Sequence, residues 1–286
     1  MPVTQAIYDV VVGAAGNQTT LTAGEAALSA SSTMYVKAET YSEGGTVTFS
    51  ENNVEIYMEP GTVVDDAITL SGDGVYLHLG VGCDIQGTIT VSGDGCSLIC
   101  QNGVDLDAIT VTGAGCRLDG GGLDTLLSSA LTITSTDGMY TNFKIVNASG
   151  TAVSIGVGGA RSNFINSSFT STNTRAFFNN SGNSAVDILL IGCNILDATF
   201  DGISNSAPRA RIIGNYSVSA GRWGIHFSGT ADDSIVYGNV VEDATTATLI
   251  LDTGASDIVA VGNRLDGAVS DSGTSNTIAL NDETAF

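Results

Sequence analysis

Six side chains between residues 201 and 233 are of the types that bind or cleave sugars. They are Asp201, Arg222, Trp223, His226, Asp232 and Asp233. Paired carboxylates hydrolyse glycosidic bonds, and carboxylates that hold Ca²⁺ beside a proton-accepting basic residue support sugar elimination. An indole beside an arginine, a histidine and acids also forms a platform on which sugar rings stack. We therefore take the three aspartates as candidate catalytic residues and the other three as candidate substrate-binding residues.

The spacing of turn residues places some of these candidates side by side. The turn positions are Asn142, Asn166, Gly192, Gly214, Gly238 and Gly262. Asp201 lies nine residues after Gly192 and Trp223 nine after Gly214, so we expect the two to be neighbours on adjacent coils. By the same count three further pairs align: Arg222 with Phe200, His226 with Ser204, and His226 with Ile250. The alternative interpretation is one large turn in which the tryptophan packs beneath a loop.

These positions depend on a repeat that runs through the chain. Similar strings begin at residues 47, 68, 89, 109 and 131, and three of them read ITLSGDG, ITVSGDG and ITVTGAG. Alternating apolar and small polar residues indicate a strand with one buried face, and the glycine-rich end is typical of a turn. Repetition at about 21 residues means that one unit cannot bury its own apolar face and must stack on its neighbours.

Stacked coils of two or three short strands form a parallel β-solenoid. We predict an all-β fold, a right-handed single-stranded parallel β-helix of about ten coils. The inward column is Val47, Ile68, Ile89, Ile109 and Leu131, and the outward hydroxyl column is Thr48, Thr69, Thr90, Thr110 and Thr132. Near the C-terminal end, Asn215, Asn239 and Asn263 each follow a turn glycine, which predicts an amide ladder from coil to coil.

The two ends of the chain carry different signals. Residues 1–45 predict a strand over Ile7–Val12 and a short helix over about residues 22–30, which begins with a Thr-Ala-Gly-Glu capping box. We expect this segment to cap the open end of the solenoid, and residues 46–286 to form the β-helix, in one continuous domain. The last predicted strand is Thr277–Leu280.

The composition limits the classes of partner. The net charge is −21, from 30 acidic and 9 basic residues, and this disfavours nucleic acids and anionic membranes, which need Lys and Arg to replace counterions. The chain shows no apolar run of membrane-spanning length, and its start lacks the basic and apolar regions of a secretory signal. The five cysteines fall in apolar columns and show no metal-site spacing, so we predict that they are core residues.

The segment that enters the coils resembles a known superfamily. A strand, a short alanine-rich helix and then Tyr35-Val-Lys-x-x-x-Tyr41-x-Glu43 are similar to the opening of right-handed parallel β-helix proteins of the pectate-lyase and pectin-esterase superfamily. The coil pattern extends this resemblance over nearly the whole chain. It implies the fold but no single activity, because this fold hosts lyases, hydrolases, esterases, adhesins and viral appendages.

The catalytic motifs of those relatives are incomplete here. The Gln-Asp-Thr and Asp-Phe-x-x-Gly elements of pectin esterases are absent. Two segments, Phe200–Ile203 and Ala231–Asp233, partly resemble the motifs of polygalacturonases. Asp201 and Asp232 in these segments are 31 residues apart, which is more than one coil, and no Gly-His-Gly follows. Pro208–Arg211 lacks the first arginine and the spacing of the pectate-lyase element Arg-x-Pro-x-x-Arg. The resemblance therefore carries none of these three activities onto this chain.

Three classes of function follow. The first is a structural or adhesion protein of a bacteriophage virion, a tail or capsid appendage that binds host surface polysaccharide. It is favoured by the intact repeat, the few catalytic side chains and the frequency of this fold in phage tail proteins. The second is a polysaccharide lyase or glycoside hydrolase with its site near Asp201–Asp233. The third is an ice-binding solenoid that uses the threonine column.

The first class also implies a place and partners. We expect the protein in the virion, beside other virion proteins, and the resemblance implies a homotrimer. Export by a non-classical route is the alternative location. No cofactor is expected, apart from Ca²⁺ if the protein is a lyase.

Overall fold

The computed structural model of the chain describes residues 8–122, 125–147, 149–179, 186–279 and 281–282. Within these ranges it is an all-β parallel β-solenoid of about 12 turns with one short helix. The predicted fold class is confirmed, and the prediction of about ten coils was low. The number is higher because strands before residue 46 already pair in register, as Val10–Val12 does with Thr33–Val36.

The chain divides into two units, and each coil contributes strands to three parallel sheets that we name A, B and C. The first unit runs to Ser128 and includes Thr141–Lys144, and the second comprises Ser129–Tyr140 and the described residues from Ile145 onward.

In the first unit, sheet A contains β1 Val10–Val12, β2 Thr33–Val36, β5 Glu55–Met58, β8 Tyr76–Leu79, β11 Ser97–Cys100 and β14 Arg117–Asp119. Sheet B contains β3 Thr40–Tyr41, β6 Val63–Val64, β9 Asp84–Ile85, β12 Asp105–Leu106 and β15 Leu126–Leu127. Sheet C contains β4 Val47–Phe49, β7 Ile68–Leu70, β10 Ile89–Val91 and β13 Ile109–Val111.

The strands from β16 onward form the second unit, to which β17 and β18 each contribute part of their residues. Sheet A contains β17 Met139–Thr141, β20 Asn163–Ile165, β23 Leu189–Ile191, β26 Arg211–Ile213, β29 Ile235–Tyr237, β32 Val259–Val261 and β35 Thr277–Ala279. Sheet B contains β18 Lys144–Asn147, β21 Ser168–Ser171, β24 Asn194–Leu196, β27 Tyr216–Val218, β30 Val240–Glu242 and β33 Arg264–Leu265. Sheet C contains β16 Leu131–Ile133, β19 Val153–Ile155, β22 Phe177–Asn179, β25 Ile203–Asn205, β28 Trp223–Phe227, β31 Ala247–Leu251 and β34 Val269–Asp271.

The column predicted to face inward forms the core of sheet C. Four of its members pair in register in the first unit and are at most 2% exposed: Val47, Ile68, Ile89 and Ile109. In the second unit Leu131 is 1% exposed and pairs with Val153. The hydroxyl column keeps the same register on the outer side, with Thr48, Thr69, Thr90 and Thr110 paired in that order. The ice-binding function suggested by this column stays a prediction.

The repeated glycine-rich turn brings each coil into close contact with the one before. A Cβ atom on Gly93 would lie 2.1 Å from the carbonyl oxygen of Gly72, and one on Gly113 would lie 1.9 Å from that of Gly93. No other residue fits in that space. Gly95, two residues further along, has φ +66, the left-handed conformation that glycine adopts without strain.

The N-terminal helix is shorter than predicted, and its cap is a different residue. Helix α1 spans Leu21–Ala26, and Thr20 caps it by accepting a hydrogen bond from the amide of Ala23 at 3.1 Å. The predicted capping box is wrong because Glu43 takes the amide of Leu21 and both the amide and the hydroxyl of Thr22. The structure starts the predicted first strand at Val10, and Ile7 lies outside the described residues.

The five cysteines are buried and form no disulfide. Cys96 and Cys116 precede the paired residues Ser97 and Arg117, so they occupy the same position on adjacent coils. The thiol of Cys96 donates to the carbonyl of Gly72, and that of Cys116 donates to the carbonyl of Gly113, both at 3.2 Å. The prediction that the cysteines act as small core residues is confirmed.

The predicted asparagine ladder is confirmed in the second unit. Oδ1 of Asn239 accepts from the amide nitrogen of Asn215 at 2.9 Å and from its Nδ2 at 3.0 Å. Asn239 in turn donates its amide and its Nδ2 to Oδ1 of Asn263, each at 2.9 Å. Asn281 extends the ladder by accepting from Asn263 at 2.9 Å. It comes just after Leu280, the end of the predicted last strand, which lies outside the described residues.

Replacing Asn239 with Leu is expected to lower the free energy of unfolding by about 2 kcal/mol, because it leaves two donors of Asn215 buried without an acceptor. The carbonyl of Ile212, which accepts from Nδ2 of Asn239 at 2.8 Å, loses its donor as well. Urea denaturation followed by circular dichroism measures the change. The control is Asn173→Leu, at an exposed asparagine, where we expect less than about 0.5 kcal/mol. Equal effects of the two substitutions would contradict a stabilising role of the ladder.

Candidate functional site

Asp201 is the centre of the candidate site. It lies just before β25 and its side chain is fully buried. Arg222 donates Nε to Oδ1 and Nη2 to Oδ2 of this carboxylate, both at 2.8 Å. Arg175 donates Nε to Oδ2 at 3.1 Å. One buried carboxylate thus holds two guanidinium groups, in the bidentate arrangement with Arg222 that gives strong and well-oriented pairs.

The strand register confirms the alignment expected from the turn spacing. Ile203 pairs with Ile225 and Ser204 with His226, which places Asp201 beside Trp223 on the next coil. The amide of Gly202 donates to the carbonyl of Trp223 at 2.9 Å. His226 also pairs with Ile250 on the following coil, as predicted.

The charge state of Asp201 follows from its surroundings. Burial acts to raise the pKa of Asp201, but its interactions with His226, Arg222 and Arg175 outweigh burial and lower this pKa to about 2. Nδ1 of His226 is 3.8 Å from the carboxylate, too far for a hydrogen bond. The carboxylate therefore stays ionised at neutral pH. A general acid needs a raised pKa, so the surroundings of Asp201 suit the orientation of arginines and not the donation of a proton.

The two arginines lie against aromatic rings at the surface. The guanidinium of Arg222 is 3.6 Å from the ring centroid of Trp223 and 5.7 Å from that of Phe200. Arg175 lies 4.4 Å from the ring centroid of Phe178. Phe200 is 46% exposed, and Trp223 is half-buried. We call these five residues the aromatic–arginine face.

His226 connects this face to a second carboxylate. Its ring lies 4.2 Å from that of Trp223, and Nε2 is 2.8 Å from Oδ2 of Asp252. The histidine is buried, whereas the side chain of Asp252 is 44% exposed. Nδ1 of His226 is buried and makes no hydrogen bond within the described part of the chain. The histidine thus packs against the tryptophan and links it to Asp252.

The structure does not bring Asp232 and Asp233 to Asp201. Both lie in the turn after β28, whereas Asp201 aligns with the first residue of that strand. The five residues of β28 alone span about 13 Å at 3.3 Å per residue, more than the 5–9.5 Å that separates the two carboxylates of glycosidases. Oδ1 of Asp232 instead accepts from the amide of Ser256 at 3.2 Å and from its hydroxyl at 2.9 Å. Asp233 adopts the left-handed backbone conformation of a turn.

Arg175 and Asp252 were missed by the sequence analysis. Arg175 lies nine residues after the turn residue Asn166, so the count that aligned Asp201 with Trp223 would have found it one coil earlier. Asp252 lies two residues after Ile250, the strand partner of His226, and so on the same outer face.

Two kinds of feature are absent from the described residues, a cluster of metal-ligating side chains and a membrane-spanning helix. Among those residues, no three or more His, Cys, Asp or Glu side chains are grouped so that they could hold a metal ion. None of the helices described there is both long and apolar enough to cross a membrane.

Comparison with known proteins finds a likeness of fold. No family model matches the chain, and no curated protein matches it. Among solved structures, ORF18 of Geobacillus virus E2 aligns over 91% of this chain with a TM-score of 0.55 and 15% identity, and this chain spans 56% of that protein. Pectin methylesterase from Aspergillus niger aligns over 82% of this chain and 85% of its own, with a TM-score of 0.48 and 14% identity. Pectate lyase Pel9A aligns over 97% of this chain and 78% of its own, with a TM-score of 0.41 and 15% identity. At such identities the likeness concerns the fold, and it confirms the predicted parallel β-helix with a phage protein among its structural neighbours.

Proposed function

We propose that the protein is a non-catalytic component of a bacteriophage virion, a tail or capsid appendage that binds host surface polysaccharide. The aromatic–arginine face is the observation that carries this proposal. Its rings offer the apolar surface against which sugar rings pack, and its guanidinium groups offer hydrogen-bond donors to sugar hydroxyls. The likeness to a phage protein supports the location in a virion.

The arrangement of charges favours binding without cleavage. The carboxylate of Asp201 is fully buried and paired with Arg175 and Arg222, so it orients the two arginines of the face. Its lowered pKa excludes the role of proton donor at neutral pH. Asp252 is exposed but engages His226, and Asp232 engages Ser256. A depolymerase that uses two carboxylates needs both of them free to reach the substrate, whereas the two near this face, Asp201 and Asp252, are paired with arginine and histidine side chains.

Replacing Trp223 with Ala is expected to weaken polysaccharide binding about fivefold, since a stacked aromatic ring contributes about 1 kcal/mol and a factor of ten corresponds to about 1.4 kcal/mol. Co-sedimentation with bacterial cell envelopes, and titration with polygalacturonate and with galactan, measure the change. Tyr216→Ala is the control, because Tyr216 is an exposed aromatic residue of sheet B outside this face. Equal binding by both variants and the parent would remove the face from the proposal.

A depolymerisation assay separates binding from catalysis. Acidic and neutral glycans are incubated with the protein, with and without Ca²⁺, and the products are examined for unsaturated or reducing ends. We expect none. Release of such ends, abolished by Asp201→Asn or Asp233→Asn, would instead establish a lyase or hydrolase. Electron micrographs of native particles with the protein labelled test its place in the virion.

We further propose that copies of the chain associate, as a trimer in the virion, through the outer face of sheet A in the second unit. Three apolar side chains there are 40–55% exposed, Ile235, Tyr237 and Val259. Ile235 and Val259 are direct strand partners, so they form a continuous apolar patch. Exposed apolar patches of this kind mark sites of protein association.

Association is expected to strengthen with salt, because each copy carries a charge of −21 and salt screens the repulsion between copies. Light scattering across a salt series measures it. Tyr237→Asp should reduce the associated fraction, whereas Thr90→Asp, which adds the same charge to the outer side of sheet C, should not. A monomer at every salt concentration would count against self-association.

A further inference from the structure

A column of aromatic side chains lies on the outer side of sheet A in the first unit. Tyr35, Tyr57 and His78 are strand partners on three successive coils. The rings of Tyr57 and His78 stack nearly parallel with their centroids 4.6 Å apart. The ring of Tyr8 lies 5.0 Å from that of Tyr35 and 5.7 Å from that of Tyr57. All four rings are half-buried, so each keeps part of its surface open to solvent.

These rings line a groove with a volume of about 220 Å³. Glu59, Pro60, Ile99 and Gln101 are among the other residues that line it. The volume is below the roughly 300–1,000 Å³ of pockets that enclose drug-sized ligands, so the groove fits a single ring-sized unit of a longer molecule. Rigid aromatic walls that are already stacked on one another lose little conformational freedom when a ligand binds.

The groove is electronegative. Glu55 accepts a hydrogen bond from the hydroxyl of Tyr57 at 2.7 Å, and Glu59 accepts from the amide of Ala38 at 2.9 Å. Lys37 is the single Lys or Arg among residues 1–116 of the sequence, and its Nζ donates to the carbonyl of Ala14. The walls of the groove therefore combine aromatic rings with the carboxylate of Glu59, that of Glu55 lies beside the ring of Tyr57, and no Lys or Arg side chain is among the described lining residues.

Three titratable rings of the groove, those of Tyr57, Tyr35 and His78, are held in their neutral forms by shifts of their pKa values. The hydrogen bond to Glu55, together with burial, raises the pKa of Tyr57 to about 12. Burial and the charge of Glu59 raise the pKa of Tyr35 to about 12. Burial lowers the pKa of His78 more than nearby Glu55 raises it, so the imidazole is uncharged at neutral pH. The fixed charges at the groove are thus those of the glutamates.

We infer that this groove binds a protonated amino sugar of a polysaccharide. An ammonium group is attracted by the negative faces of aromatic rings and by carboxylates, and the apolar side of the sugar ring packs against tyrosine. The net charge of −21 draws cationic polymers toward the protein and repels acidic ones. The inference rests on the proposed function for the idea that the ligand is a polysaccharide, and it names the class of sugar and a second place for it, apart from the aromatic–arginine face.

Calorimetric titration with three oligosaccharides tests the inference: a glucosamine oligomer, the same oligomer fully N-acetylated, and a galacturonate oligomer. At low salt and a mildly acidic pH that protonates the amines, we expect the glucosamine oligomer to bind at least tenfold more tightly than the other two. Tyr57→Ala and Glu59→Gln should each weaken its binding about tenfold. Tyr216→Ala is the matched control and should leave the affinity unchanged. Because Tyr57→Ala alters no charge, its effect separates binding in the groove from general attraction to an acidic protein.

The outcomes distinguish this inference from the proposed function. Equal affinities for the glucosamine oligomer and its acetylated form would overturn the inference, as would an unchanged affinity in both groove variants. If Trp223→Ala weakens binding and the groove variants do not, the proposed function stands and the groove is excluded. If the groove variants alone weaken binding, the inference stands and the aromatic–arginine face loses its role.

Discussion

Ile89→Asp is expected to lower the free energy of unfolding by about 5 kcal/mol, because it places a carboxylate in an apolar column with no partner for its charge. Ile89 is fully buried, and so are its strand partners on both sides, Ile68 and Ile109. Both strand partners carry an isoleucine side chain at this position, so neither can donate a hydrogen bond to the new carboxylate. Urea denaturation monitored by circular dichroism measures the change.

The matched control is Thr90→Asp in the same strand. Thr90 points to the outer side, where the new carboxylate remains hydrated, so we expect a change below about 1 kcal/mol. If Ile89→Asp unfolds at the same urea concentration as the parent, the assignment of the inner and outer sides of sheet C is wrong.

Asp201→Asn is expected to lower the free energy of unfolding by about 3 kcal/mol. This value is at the lower end of the cost of breaking a buried ion pair, because both arginines are partly exposed. The substitution removes the negative charge that Arg175 and Arg222 share. The NH2 group of the new asparagine is a hydrogen-bond donor, and it would face the N–H donors of the guanidinium groups. The control is Asp252→Asn, at the half-exposed partner of His226, where we expect less than about 1 kcal/mol.

The pH dependence of this difference identifies its cause. The pKa of Asp201 is lowered in the folded protein to about 2, so its charge stabilises the fold fully above the pKa of the unfolded chain, near 4. That contribution is lost as the pH falls from about 4 to about 2. The difference in melting temperature between the parent and Asp201→Asn should therefore be constant from neutral pH down to about pH 4 and shrink below it. An equal difference at pH 7 and at the acid limit would show that the charge of Asp201 is not what stabilises the site.

The sequence was sufficient to predict which residues of adjacent coils lie side by side wherever the coils repeat one another. Identical strings pair with each other, so the period alone aligned Ile89 with Ile109 and Asp201 with Trp223. It was insufficient where a distant side chain competes with a local rule. The capping box expected at Thr22 is not formed, because Glu43, 21 residues later in the chain, accepts from the amide of Thr22 that Glu25 was expected to satisfy.

The functional surfaces were harder to predict because outward positions vary from coil to coil. Tyr35, Tyr57 and His78 occur at spacings of 22 and 21 residues, within the period of the repeat, but the third position carries a histidine where the first two carry tyrosine. Only the pairing of the strands shows that their rings stack. The bond between His226 and Asp252 likewise joins the outer sides of two coils, and no motif in the sequence marks it.

The turn glycines of the first unit also bear on how such a chain grows during evolution. Because Gly93 fits against Gly72, and Gly113 against Gly93, each of these coils presents the same backbone shape to the coil before it and the coil after it. A duplicated or deleted segment of about 21 residues therefore restores every contact with its new neighbour. A single inserted residue does not restore these contacts, because it moves the side chains that follow it in the strand from the inner side to the outer side and the reverse. Lineages of this protein should differ in length by whole coils, with insertions of other sizes confined to the turns.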